Sequence, residues 1–118
     1  MNYSNSQLRN LAQQNPKELI RIITGSKGDA QSLAFGAEVL GEEVDNESLV
    51  VPVLRQLLKH PHALVREGAL NGVMAFFSNK PLIPVSILEQ LRTIVKSDPL
   101  STNKEIAADM ISNFEKSK

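Results

Sequence analysis

Apolar residues recur three and four positions apart along almost the whole chain, the period of a helix packed on one side. No segment alternates apolar and polar residues between hairpin signals, so strands are not expected. Punctuating residues divide the pattern into six or seven helices. A short first helix carries Leu8, Leu11 and Ala12 and stops before Asn15-Pro16-Lys17-Glu18. There Asn15 can cap, Pro16 suits the first helical position and Glu18 sits at the capping-box position. A second helix runs through Leu19, Ile20, Ile22 and Ile23 to Gly25, and Asp29 can cap a third striped by Ala30, Leu33, Ala37, Leu40 and Val44. Asp45 or Asn46 caps a fourth through Val50, Val53, Leu54, Leu57 and Leu58, with Pro52 early enough for its missing N–H to cost little. His60-Pro61-His62 leads into a fifth with Val65, Ala69, Val73 and Phe76. After Asn79-Lys80-Pro81 a sixth carries Ile87, Leu88, Leu91, Ile94 and Val95. Asp98-Pro99 opens a seventh with Ile106, Ala107, Met110, Ile111 and Phe114.

The helices pair, and the pairs repeat. An apolar residue, an arginine, any residue and another apolar residue recur at Ile20-Arg21, Leu54-Arg55 and Leu91-Arg92, at spacings of 34 and 37. Pro61, Arg66, Glu67 and Ala69 match Pro99, Lys104, Glu105 and Ala107 at a spacing of 38, and Gly36-Ala37 aligns with Gly68-Ala69. One helical hairpin per thirty-odd residues is what a solenoid requires, because each hairpin is apolar on faces it cannot hide alone. Small residues such as Gly36, Ala37, Gly68, Ala69, Ala107 and Ala108 are expected to let paired helices come close.

The stretch from Leu57 to Leu70, with His60-Pro61 before Val65-Arg66-Glu67-Gly68-Ala69, resembles a HEAT repeat or its short bacterial relative. Asp98 and Lys104 stand at that family's acidic and basic positions. His60 replaces the acid in the second repeat and the first repeat lacks the base, which weakens the polar ladder that ties neighbouring turns. The resemblance covers about residues 17–116. It implies a single all-α domain over residues 1–118: a right-handed, armadillo-like α-solenoid of about three HEAT-like hairpins. A capping helix at about 4–14 would precede repeats at about 16–44, 46–78 and 84–116.

Composition narrows the function more than it names one. Thirteen Lys and Arg balance thirteen Asp and Glu, so no overall field favours nucleic acid or an anionic membrane. The absence of cysteine removes disulfides and thiolate chemistry and fits a reducing compartment. No stretch has the length of a signal peptide or membrane span, so a soluble, cytoplasmic chain without membrane contact is expected.

Catalysis needs a positioned acid, base or nucleophile, and none is evident. The only histidines, His60 and His62, flank a proline. With Glu67 as the nearest carboxylate they fall short of a metal set, and the plainer reading is a pair of turn histidines capping a helix. The run Glu42, Glu43, Asp45 and Glu47 has no intervening base and reads as solvated surface. Gly25-Ser26-Lys27-Gly28 lacks the spacing of a phosphate loop. Neither a metal nor a cofactor is expected, nor enzyme activity.

Two surfaces remain. Projection of the second helix of each hairpin at 100° per residue turns about Phe35, Val39 and Glu42 outward in the first repeat, Glu67, Asn71, Met74 and Ser78 in the second, and Glu105, Asp109 and Ser112 in the third, with Glu38 among the neighbouring carboxylates. Second helices line the concave side in HEAT-like solenoids, so the resemblance implies a groove. An apolar centre of Phe35, Val39 and Met74 with a carboxylate rim suits another protein presenting a basic or apolar segment. The competing surface is a basic row of Arg21, Arg55, Lys59, Arg92 and Lys96 on the first helices, whose regular spacing could track phosphates of a nucleic acid. A balanced net charge and few aromatics count against it. Resemblance to the repeats of phycobilin lyases suggests a third role, as an accessory to a chromophore or its acceptor protein, but no residue specifically supports one. So short an array can also self-associate through its uncovered last repeat.

Overall fold

The computed structural model describes residues 3–25, 29–80 and 82–116. Among them the chain forms seven helices and no strand: α1 (Asn5–Gln14), α2 (Pro16–Thr24), α3 (Ala30–Glu43), α4 (Glu47–Leu57), α5 (Ala63–Phe77), α6 (Val85–Ser97) and α7 (Ser101–Lys116). Ser26, Lys27, Gly28 and Pro81, in two of the turns expected from the sequence, lie outside the described residues.

Local chemistry explains most of the helix starts. Asn15 accepts from the Glu18 N–H with Pro16 following it, and Asn46 accepts from the Leu49 N–H. At α1 a full capping box joins Ser4 and Gln7, a signal that the sequence reading passed over. His62 caps α5 by accepting the Leu64 N–H on Nδ1 (3.1 Å), while His60 Nδ1 accepts the His62 N–H (3.0 Å). Both imidazoles are thus occupied as turn and cap acceptors. Asp29 holds the N-cap position of α3, but its side chain makes no capping hydrogen bond.

Packing is successive. α1 lies on α3, α3 on α5 and α5 on α7, while α2, α4 and α6 lie respectively against α3, α5 and α7. The overall extents of 38 × 30 × 19 Å have a thin direction that suits two helix layers spaced by about 10 Å. The core runs between the layers, through Leu8, Leu19, Ile23, Leu40, Leu54, Leu57, Leu70, Phe77, Ile87, Leu91 and Met110, all essentially without solvent contact.

The closest approach joins α3 to α5. A methyl group added at Gly68 would overlap the Ala34 backbone, one at Gly41 would overlap Gly72, and one at Gly72 would come within 2.5 Å of the Ala37 carbonyl oxygen. Gly68 therefore opens the seam between α3 and α5, and Gly72 opens the same seam while also facing Leu54 of α4. Gly36 does face its own hairpin partner, Ile23 of α2. Ala108, expected at a helix seam, is exposed on α7.

The turns are also tied to one another. Arg66 donates from Nε to Asp98 Oδ2 (2.7 Å) and from Nη2 to Asp98 Oδ1 (3.2 Å), and its Nη1 reaches the His60 and Pro61 carbonyls. Asn103 bridges the Ala63 carbonyl and Asp98. Arg66 thus finds its carboxylate in the turn before α7, 32 residues away.

Candidate functional site

α3 has α1 on one flank, α5 on the other and α2 and α4 behind it, which leaves a narrow outer stripe. Phe35 and Glu38 are half-buried on it and Glu42 is exposed. Val39, expected on this surface, is fully buried, with 0% exposure. Phe35 and Glu42 keep the expected phase, but with neighbours on three sides α3 buries a wider arc than the half-cylinder assumed for a surface helix, and Val39 falls within it.

On α5 the outward stripe is as expected. Glu67 and Asn71 are half-buried, and Met74 is 45% exposed. Phe35, Glu38, Glu67 and Asn71 meet in one shallow depression of about 320 Å³ between α3 and α5, floored by Ala34 and Gly68 and bordered by Leu64, Gln31 and Asn5. The closeness of the two backbones at Gly68 brings the α3 and α5 carboxylates within reach of one another. Glu105 and Asp109 are exposed on α7 and stand apart from this depression.

Charge in and beside the depression is uneven. Arg9 of α1 donates to Glu43 and to Glu42 (3.4 Å), Gln13 also binds Glu43 (3.2 Å), and the Arg9 guanidinium lies 5.7 Å from the Phe35 ring centroid. Glu42 and one face of Phe35 are thus already partnered. Glu38 and Glu67 make no ion pair among the described residues. Burial pushes the Glu38 carboxyl up, the like charges of Glu42 and Glu67 add to this, and Arg9 only partly opposes it. A half-buried carboxylate facing another one is a place where a cation would be welcome.

Met74 is not part of an apolar centre with Phe35. It borders a separate cleft of about 490 Å³ between the end of α5, the segment before α6 and α7, lined also by Phe77, Leu82, Val85, Leu88, Met110 and Phe114. Sequence reasoning missed this cleft because Leu82 and Ile83 read as linker. Their apolar character between prolines was the available signal.

The basic row is exposed on α2, α4 and α6 but partly neutralised. Arg21 is bound by Glu18 (2.8 Å), Arg92 lies 4.0 Å from Glu115, and Arg55 packs on Gln90, whose amide donates back to the Arg55 carbonyl (2.8 Å). Lys59 and Lys96 are exposed, Lys59 lining a seam of about 400 Å³ of mixed character, with Leu58, Pro61 and Ile94 beside His60, Gln90 and Thr93.

Among the described residues no group of three or more His, Cys, Asp or Glu side chains is placed to hold a metal ion, and no helix is long and apolar enough to cross a membrane. No protein-family model, curated protein or solved structure matches the chain.

Proposed function

We propose that the chain is a short α-solenoid of HEAT-like hairpins, and that it acts as a non-catalytic protein-binding module. Its binding face is the outer side of α3 and α5, and its partner is a protein segment carrying Lys or Arg. The observation that carries this reading is the Glu38–Glu67 pair: two carboxylates without ion-pair partners among the described residues, half-buried over the apolar floor of Ala34, Gly68 and Phe35. A lysine or arginine fits such a floor through its methylene stem while its charged head relieves the repulsion between the acids. The successive packing of α1, α3, α5 and α7, and the Arg66–Asp98 link between turns, support the solenoid part of the reading.

The basic row is the competing surface for a nucleic acid. Two of its three arginines already face carboxylates, which leaves less charge for phosphates.

Affinity capture with the wild-type chain and with Glu38→Lys/Glu67→Lys tests the proposal. The expected outcome is that the partners held by the wild type are lost from the variant, while Arg55→Glu/Arg92→Glu retains them. Capture of the same set by wild type and Glu38→Lys/Glu67→Lys contradicts it. Salt-dependent duplex DNA binding that disappears in Arg55→Glu/Arg92→Glu would replace it with the nucleic-acid reading.

A further inference from the structure

The outer stripe of α5 continues beyond the acidic depression. Glu67, Asn71, Met74 and Ser78 fall within an arc of about 60° at 100° per residue. The first two border the acidic depression and the last two border the apolar cleft. At 1.5 Å per residue, Met74 lies about 10 Å and Ser78 about 16 Å along the helix from Glu67. The two depressions therefore lie in line on one face.

The cleft has the character of an anchor pocket. Leu82 is 75% exposed and Val85 66%, an unusual display of large apolar side chains on one rim. Its volume of about 490 Å³ has room for one or two large side chains. Lys80, the one cation on its wall among the described residues, is already engaged with Asp45 (3.1 Å) and lies over the Phe76 ring at 4.1 Å. An apolar group is therefore the matching occupant. The backbone groups of α3 and α5 are used within their own helices, so this face has no strand edge to extend. A ligand that satisfies its own backbone, namely a helix, loses least on docking here.

We propose that the acidic depression and the apolar cleft form one bipartite site for an amphipathic helix of a partner protein, with Lys or Arg between Glu38 and Glu67 and a large apolar side chain in the cleft. The proposal rests on the basic-segment reading above and adds a second contact at a defined distance. A partner helix lying along α5 shares its rise, so the cation and the anchor stand about seven or eleven residues apart, spacings that return to the same helix face.

Panning a displayed library of surface-randomised helical peptides against the full chain, followed by fluorescence anisotropy of the enriched peptides, tests this. The expected peptides carry Lys or Arg and Leu, Phe or Met at one of those spacings. Leu82→Asp and Val85→Asp should each weaken binding about tenfold or more, and so should Glu38→Gln/Glu67→Gln. Leu82 and Val85 are exposed, so these variants should keep the wild-type helical melt by circular dichroism. Enriched peptides that ignore both cleft variants but lose affinity for Glu38→Gln/Glu67→Gln overturn the bipartite site and leave the acidic groove standing. Peptides indifferent to all of these changes, or no enrichment at all, overturn the groove reading together with it.

Discussion

Asp98 does two things in the turn before α7. It accepts the Leu100 N–H on Oδ1 (3.0 Å), which shapes the turn, and it receives Arg66 from the preceding hairpin. With 1% side-chain exposure for Asp98 and 12% for Arg66, the pair is shielded from water, unlike the open Arg21–Glu18 and Arg92–Glu115 pairs. Burial alone would push the Asp98 carboxyl up. The Arg66 hydrogen bond, the Leu100 N–H, the Arg66 charge and Asn103 together outweigh it and hold the group below its ordinary value. A carboxyl depressed in the folded state contributes stability that is present above its unfolded value and lost as pH falls through the folded one. Asp98→Ala, which strands the Arg66 charge, should cost about 3 kcal/mol in urea unfolding at neutral pH. Acid titration of stability should be shallower in Asp98→Asn than in the wild type. Equal stability of Asp98→Ala and wild type at neutral pH would show that the link contributes nothing.

At the scale of the elements, the glycines of α5 are the sharpest test. Gly68 faces the Ala34 backbone, which cannot swing aside as a side-chain tip can. Gly68→Ala should therefore push α5 off α3 and lower stability by about 1–3 kcal/mol, despite the better helix propensity of alanine. A Gly68→Ala chain that melts at or above the wild-type temperature would contradict so close a seam. The helices themselves were legible because their signals are local: Asn15, Asn46 and His62 cap the turns in which they stand. Exposure was less legible. Whether Val39 faces solvent depends on how many helices surround α3, which no local pattern states. The Arg9 contact with Glu42 and Glu43 spans more than thirty residues and had no signal in either segment. On α5, Glu67 and Asn71 are half-buried and Met74 is exposed, as the 100° projection expects, but Met74 borders a different depression from Phe35.

At the scale of the whole molecule, the same side of α3 and α5 presents Phe35, Glu38, Glu67 and Asn71 together because the two helices pack directly against each other. Arg9 of α1 limits that surface at one end by covering part of Phe35 and occupying Glu42, while towards α7 the outer stripe of α5 runs on to the apolar cleft. The basic row lies on α2, α4 and α6, in the other layer. The two candidate faces are thus spatially separate, and a single mapping experiment can tell them apart. With the basic segment of a captured partner titrated into isotope-labelled chain, amide chemical shifts should change around Phe35, Glu38, Glu67 and Asn71 and stay still along Arg21, Arg55 and Arg92. Shifts confined to that arginine row, with the α3–α5 face silent, would contradict the account.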